Sequence, residues 1–395
     1  MKETKFKNTE IGRIPEDWEV RTINSFCTVK TGPFGSMLHA DDYVAKGTPI
    51  ITTEHFKNGA LPLVGKDIPQ VGTEDLKRMS AYTLTKDDIV FSRVGSVDIN
   101  ALVTVRQKGW LFSGRVLRLR PFEQTDSLYL HYALLKHSVR SDIVSRAVGL
   151  TMASINTKIL GATELSLPPL NEQHSIASAL TSIDNLISSL GKLIEKKKDI
   201  KQGAMQQLLT GKIRLKGFDE PWVWKKLGEV CSVKRGVRVV KRNLTTDGLY
   251  PVYQNTNFPL GYSNQYNVEA NTPFVIIGGS AGQVGICRER YWAADDCAFF
   301  ACHDIYKEYL YYVLLLNQSN ILHNVRTGTI PRLDRSFLSN MVVYISSNID
   351  EQQAIATILN KTDNEITALE TKKAKYKAIK QGMMQQLLTG KIRLI

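Results

Sequence analysis

The sequence predicts an α+β protein built twice over: two α/β segments separated by two long helices packed as an antiparallel coiled coil, with internal pseudo-two-fold symmetry. Three observations lead there. Residues 201–215, KQGAMQQLLTGKIRL, return at 380–394 as KQGMMQQLLTGKIRL, with Ala204 against Met383 the single difference. The match runs upstream without a gap, so that about 26 of 45 positions are identical between 171–215 and 350–394, the mark of an internal repeat. Within it Ile176, Leu180, Ile183, Ile187 and Leu190 recur at alternating four- and three-residue steps, and Ile355, Leu359, Ile366 and Leu369 hold matching places in the second copy. That is a heptad seam, by which a helix packs lengthwise on another.

Each element follows from local chemistry. Pro168 and Pro169 precede the first helix, Asn171 and Asp350 are the expected N-caps, and Gly211 and Gly390 the expected terminators. From Asn171 to Leu209 a helix spans about 58 Å. Thr362 and Lys373 interrupt the seam, and its register drifts after Ile194, which leaves open that each helix only covers its own neighbouring segment. A fainter repeat pairs IPEDWEVRTI (14–23) with DEPWVWKKLG (219–228), placing Trp18 with Trp222, and TVKTG (28–32) with SVKRG (232–236). Its offset is larger, so the first variable segment is longer by about 25 residues. The expected boundaries are 1–169, 170–215, 216–348 and 349–395. Both variable segments are rich in strands and turns. DDIVFSRVGS (87–96) answers TPFVIIGGSAGQVG (272–285), with Gly95-Ser96 opposite Gly279-Ser280. The glycine loops AVGLTMASIN (147–156) and VRTGTIPRLD (325–334) answer each other, with Ala153 read as the counterpart of Arg332. ELSLP (164–168) and MVVYI (341–345) then lead into the helices.

Composition bounds the function. The net charge is +13, which points to a polyanionic partner, nucleic acid first. The N-terminal stretch MKETKFKNTE lacks an apolar signal core, no run of 18 apolar residues exists, and five scattered cysteines form no C-x-x-C pair, so a reduced cytoplasm is expected. Cys297, Cys302 and His303 lie close in sequence but lack a fourth ligand at zinc-like spacing, so no metal is expected. No phosphate-binding loop, H-E-x-x-H or G-x-S-x-G appears, and Leu167-Pro168-Pro169-Leu170 lacks the polar and aromatic ends of an amino-methyltransferase motif; no catalytic residue is expected. The basic run from Lys192 to Lys216 and its copy from Lys372 to Arg393 instead suit phosphates or a charged protein partner.

Together IPEDWE, DIVFSR-x-G, GTIPRL, LPPLNEQ and MQQLLTGKIRL resemble the specificity subunit of a type I restriction-modification system, over essentially the whole chain. The resemblance implies two target recognition domains, each reading half of a bipartite sequence in double-stranded DNA, with paired helices as a ruler and as docking sites for two modification (methyltransferase) subunits and, through them, the restriction subunits. It also implies that the chain is not itself an enzyme and binds no cofactor, with S-adenosylmethionine, ATP and Mg on the partners, and that the C-terminal copy ends beside the first domain. Base reading favours Arg, Lys, Asn, Gln, Ser and Thr on loops. The expected DNA-binding residues are Lys30, Thr31, Ser92, Arg93, Ser96 and Thr151 in the first domain, and Lys234, Arg235, Arg238, Ser280, Gln283, Thr327, Thr329 and Arg332 in the second. A competing expectation is a coiled-coil scaffold that never reads DNA.

Overall fold

The structure, a computed structural model, describes residues 4–395 apart from 34–39, 66, 150, 241 and 243. It divides into two compact units, Met1–Ser189 with Lys373–Ile395, and Leu190–Lys372. Each unit thus joins one strand-rich segment to the start of one long helix and the end of the other. The helices run Leu170–Leu208 and Ile349–Leu387, 39 residues apiece. Both begin one residue before the expected caps. In the second helix Asn348, not Asp350, is the cap: its Oδ1 accepts from the Asp350 N–H at 2.8 Å and the Glu351 N–H at 3.1 Å. In the first, Asn171 reaches only the Glu172 N–H, and the Pro169 carbonyl takes the N–H groups of Glu172 and Gln173.

The strand-rich parts share one plan. In the first unit a four-stranded antiparallel sheet runs in the order Cys27–Thr31, Val116–Pro121, Ile89–Ser92, Asn100–Leu102. In the second the order is Cys231–Arg235, Cys297–Cys302, Pro273–Ile276, Val284–Ile286. A second sheet of short strands accompanies each, four-stranded in the first unit and three-stranded in the second, built on a parallel pair: Leu111–Phe112 with Thr48–Ile51, and Trp292–Ala293 with Tyr250–Tyr253. Most of the first segment's extra length lies between Ile51 and Ile89, where it adds helix Thr73–Arg78; strand Gln70–Val71 in the same stretch lies antiparallel to Thr48–Ile51 as Gly261–Ser263 does to Tyr250–Tyr253.

The helix seam divides its labour. Ile176 and Leu180 are fully buried with Trp18, Tyr129 and Leu165 of their own segment, together with Leu387 at the end of the second helix and Leu388 just after it. Ile355 and Leu359 are buried likewise beside Tyr309, Leu338, Leu208 and Leu209. The start of each seam therefore covers its own domain. Ile183, Leu190 and Ile366 are buried, and Ile187 and Leu369 half-buried. Ion pairs follow an antiparallel pairing: Lys197–Glu365 and Lys201–Asp363, both 2.6 Å, in the second unit, and Lys380–Asp184, 2.7 Å, in the first. The last of these repeats Lys201–Asp363 at the offset of the sequence repeat. Its surroundings repeat too, since the Tyr132 hydroxyl donates to Asp184 and the Tyr312 hydroxyl to Asp363.

The end of each helix is tied to the start of a domain by a buried carboxylate. Glu172, fully buried, accepts from Trp18 Nε1 at 2.9 Å and from Arg393 Nε at 2.7 Å. Glu351 accepts from Trp222 Nε1 at 3.1 Å and Arg214 Nε at 2.7 Å. Arg393 also grips Asp17 with two hydrogen bonds, so the C-terminal copy does end beside the first domain. The Arg393 hydrogen bond holds the Asp17 carboxyl below its ordinary range. Glu172 raises the Arg393 guanidinium above its own.

Candidate nucleic-acid interface

In each unit a loop leaves the central sheet and is clasped by the glycine loop that precedes the last strand. In the first, the Gly95 N–H donates to the Ala153 carbonyl at 2.8 Å, and Ser154 bridges both Val94 and Val148. In the second, the Gly279 N–H donates to the Pro331 carbonyl at 3.2 Å, and Arg332 bridges both Gly278 and Arg326. The register makes Ser154, not Ala153, the counterpart of Arg332, and Ala153 that of Pro331. Short anchored loops of this kind follow from sequence: Asn156 and Asp334 cap the next helices, so each loop must close just before them.

Several of the expected DNA-binding residues in the first unit make contacts within the fold. Ser92 is only 2% exposed. Arg93 Nε and Nη1 donate to the carbonyls of Ile155 (3.2 Å) and Gly114 (2.8 Å), making this arginine a clamp for the loop. Lys30 Nζ donates to the Ala81 carbonyl at 2.9 Å over the Tyr82 ring, its pKa lowered by burial and by Arg118 and Arg120. Among the described residues the Thr31 hydroxyl is buried without a partner. Ser96 and Thr151 lie exposed on the two clasped loops; Leu150 is outside the described residues.

The second unit brings more of its expected residues together. Thr327, Thr329 and Arg332 are exposed on the glycine loop, beside half-buried Ser280. Arg332 stands 3.7 Å from Asp296. Arg235 Nε donates to the Asp295 carbonyl at 2.7 Å, which draws the Arg235–Arg238 stretch to the same turn. Lys234 and Arg238 are exposed, and Gln283 accepts from the Asn257 N–H at 3.4 Å.

Sequence reasoning missed two features. One is the segment 254–258, QNTNF: the Ser280 N–H donates to the Asn255 carbonyl at 2.9 Å, and Phe258 is 73% exposed beside it. Its signal was the amide-rich run. The other is Arg115. The Arg93 N–H donates to the Arg115 carbonyl as the Ile277 N–H does to that of Asp296, so exposed Arg115 stands where the second unit has Asp296. The arginine of this turn changes sides between the units: Ser154 faces a turn with Arg115, Arg332 a turn with Asp296. Among the described residues no cluster of His, Cys, Asp and Glu could hold a metal ion, and no helix is long and apolar enough to cross a membrane.

The arrangement offers two sets of short, clasped loops bearing hydroxyl, amide and guanidinium groups, the donor and acceptor types that read base edges and phosphates. The family model described as the type I restriction modification DNA specificity domain matches residues 15–201 and again 219–381. The chain is 28% identical over 436 residues to the type I restriction enzyme MjaVIII specificity subunit of Methanocaldococcus jannaschii, covering 100% of this chain and 97% of that protein. The putative MjaX specificity subunit of the same organism is 27% identical over 433 residues, covering 100% and 98%. In fold, the chain is similar to the type I restriction-modification S subunit from M. genitalium, with TM-score 0.69 at 19% identity over 94% of this chain and 96% of that one. A chain from a structure of type I R-M complex assembly and conformational transition aligns with TM-score 0.52 at 14% identity, over 96% and 99%.

Proposed function

The chain belongs to the type I restriction modification DNA specificity family and is the specificity subunit of such a system; from that premise we propose that each unit reads one half of a split DNA target, through its clasped loops. The observation that carries this reading is the duplication itself. The two units keep one backbone register while their loop chemistry diverges, as Ser154 with Arg115 against Arg332 with Asp296 illustrates. A protein reading one symmetric sequence twice would gain nothing from that divergence; one reading two different half-sites requires it.

The helices would set the gap between half-sites and dock two copies of a modification subunit. Supporting the docking are positions that both copies keep without a contact in the fold to explain them. Gly203 and Gly382 lie inside helices, where glycine is unfavourable, yet a Cβ on either would meet nothing within 4 Å. Ile200 and Ile379, and Ile213 and Ile392, are 40–55% exposed. Catalysis, S-adenosylmethionine, ATP and Mg would reside on the partners, with the restriction subunits joining through the modification subunits in the cytoplasm. The scaffold alternative finds no support in the family.

The test is a long-read methylome of the source organism with and without the gene. Loss of N6-methyladenine at one split motif is expected; an unchanged methylome, with partner subunits expressed, would count against the reading.

A further inference from the structure

The two glycine loops share one feature that neither the fold nor hydrogen-bonded base reading explains. Met152 and Ile330 occupy the same place, one residue before the carbonyl that the Gly95 or Gly279 N–H holds. Both are exposed, by 59% and 57%. Each follows an exposed threonine, Thr151 or Thr329. The neighbouring residues have diverged in chemistry, Val148 against Arg326 and Ser154 against Arg332, while a large unbranched or β-branched aliphatic side chain persists at this tip.

A single exposed apolar residue needs no explanation by itself. This pair does, because it sits on a rigid support in two segments that otherwise differ. The loop is pinned on both sides, by the Val148–Ser154 or Arg326–Arg332 bridge and by the hydrogen bond to the adjoining sheet loop. Pro331 stiffens the second tip further. A Cβ added at Gly328 would meet nothing within 4 Å among the described residues, so the second loop is open at that position. An apolar group held out on a pinned backbone is poised to meet an apolar surface of a partner already in place.

On a DNA-reading domain such surfaces are few. They are the thymine methyl in the major groove and the faces of bases at an opened step. Exposed cations stand close in chain or register: Arg326 and Arg332 in the second unit, Arg115 in the first. They suit the phosphates that flank either surface. Building on the reading of split-site recognition, we infer that Met152 and Ile330 are specificity-determining residues, one for each half-site, making an apolar contact with bases that the polar loop residues cannot make.

The test uses the full chain with its modification partners. Methylomes are compared for wild type, Met152→Ala, Ile330→Ala and Ile330→Met. The expected result is that each alanine variant relaxes one half-site only, the two variants relaxing different halves, with methylation of sites altered at one position rising by about 5- to 100-fold relative to the cognate site. Ile330→Met, which installs the first unit's residue type, should stay close to wild type. The salt dependence of binding should not change, because no phosphate contact is lost. Two arms then separate the surfaces. Uracil in place of thymine should reproduce the alanine phenotype if the methyl is touched, and an abasic site should rescue the variant if a step is opened. Unchanged half-site fidelity in both alanine variants, or loss of partner assembly in place of fidelity, overturns the inference. Failure of the underlying reading looks different: no split motif depends on the wild-type chain.

Discussion

At the residue scale, the buried carboxylates Glu172 and Glu351 are where single side chains matter most. Each fully buried carboxylate accepts from a tryptophan N–H and an arginine, and a buried carboxylate is tolerable only while its charge partner remains. Arg393→Ala should therefore destabilise the first unit by about 3 kcal/mol or more, measured as a fall in the urea midpoint. Arg214→Ala should cost less in the second unit, because the Arg214 side chain is 30% exposed against 11% for Arg393, and Arg393 also holds Asp17. Equal, negligible shifts would mean that water replaces the arginine at both sites. These partners were not legible in the sequence. Trp18 and Trp222 could be matched, as could Arg214 and Arg393, but residues 221 apart in the chain meet at Glu172 only through the return of the second helix. Likewise Arg93 read as a surface cation because nothing local shows that its guanidinium is taken up by the carbonyls of Gly114 and Ile155.

At the element scale, the helix ends repeat in sequence but not in surroundings. Gly211 and Gly390 both adopt the left-handed conformation, at φ +68° and +67°. An alanine at either should lose about 1–2 kcal/mol from that conformation alone. At Gly211 the added methyl would approach the Trp222 ring at 3.2 Å, a near-contact that a small shift relieves. At Gly390 it would stand 2.3 Å from Pro15 Cγ, part of a ring that cannot rotate away. Gly390→Ala should thus lower the melting temperature clearly more than Gly211→Ala; the reverse order would show that the Pro15 segment yields. Helix existence, length and termination were legible, because heptad spacing and glycine stops are local properties. The caps were off by two residues, since the true acceptors, Asn348 and the Pro169 carbonyl, depend on how the preceding strand delivers the chain.

For the whole molecule, the proposed ruler carries its own prediction. One heptad inserted in each long helix at matching places, after Lys192 and after Thr371, adds about 10 Å to each while changing the helical phase by only about 20°. The methylated motif should keep both half-sites while its gap widens by about three base pairs. Altered half-sites with an unchanged gap would separate the helices from the spacing function. Domain organisation itself reads differently at this scale: four segments in sequence become two units, each completed by the end of a helix that begins beside the other strand-rich segment.

By itself the sequence determined the duplication, the two long helices and their stops, the α+β character of the variable segments and the family, because repeats, heptads and turn residues are written in short-range order. Only the tertiary structure decided which polar side chains are spent on the fold and which face outward. It tied Arg93 and Lys30 to distant carbonyls, buried Ser92, and brought Arg115 and the 254–258 segment beside the loops. The reason is physical: a polar group's role depends on whether a distant carbonyl or carboxylate arrives to satisfy it, and that is set by packing, not by its neighbours in the chain.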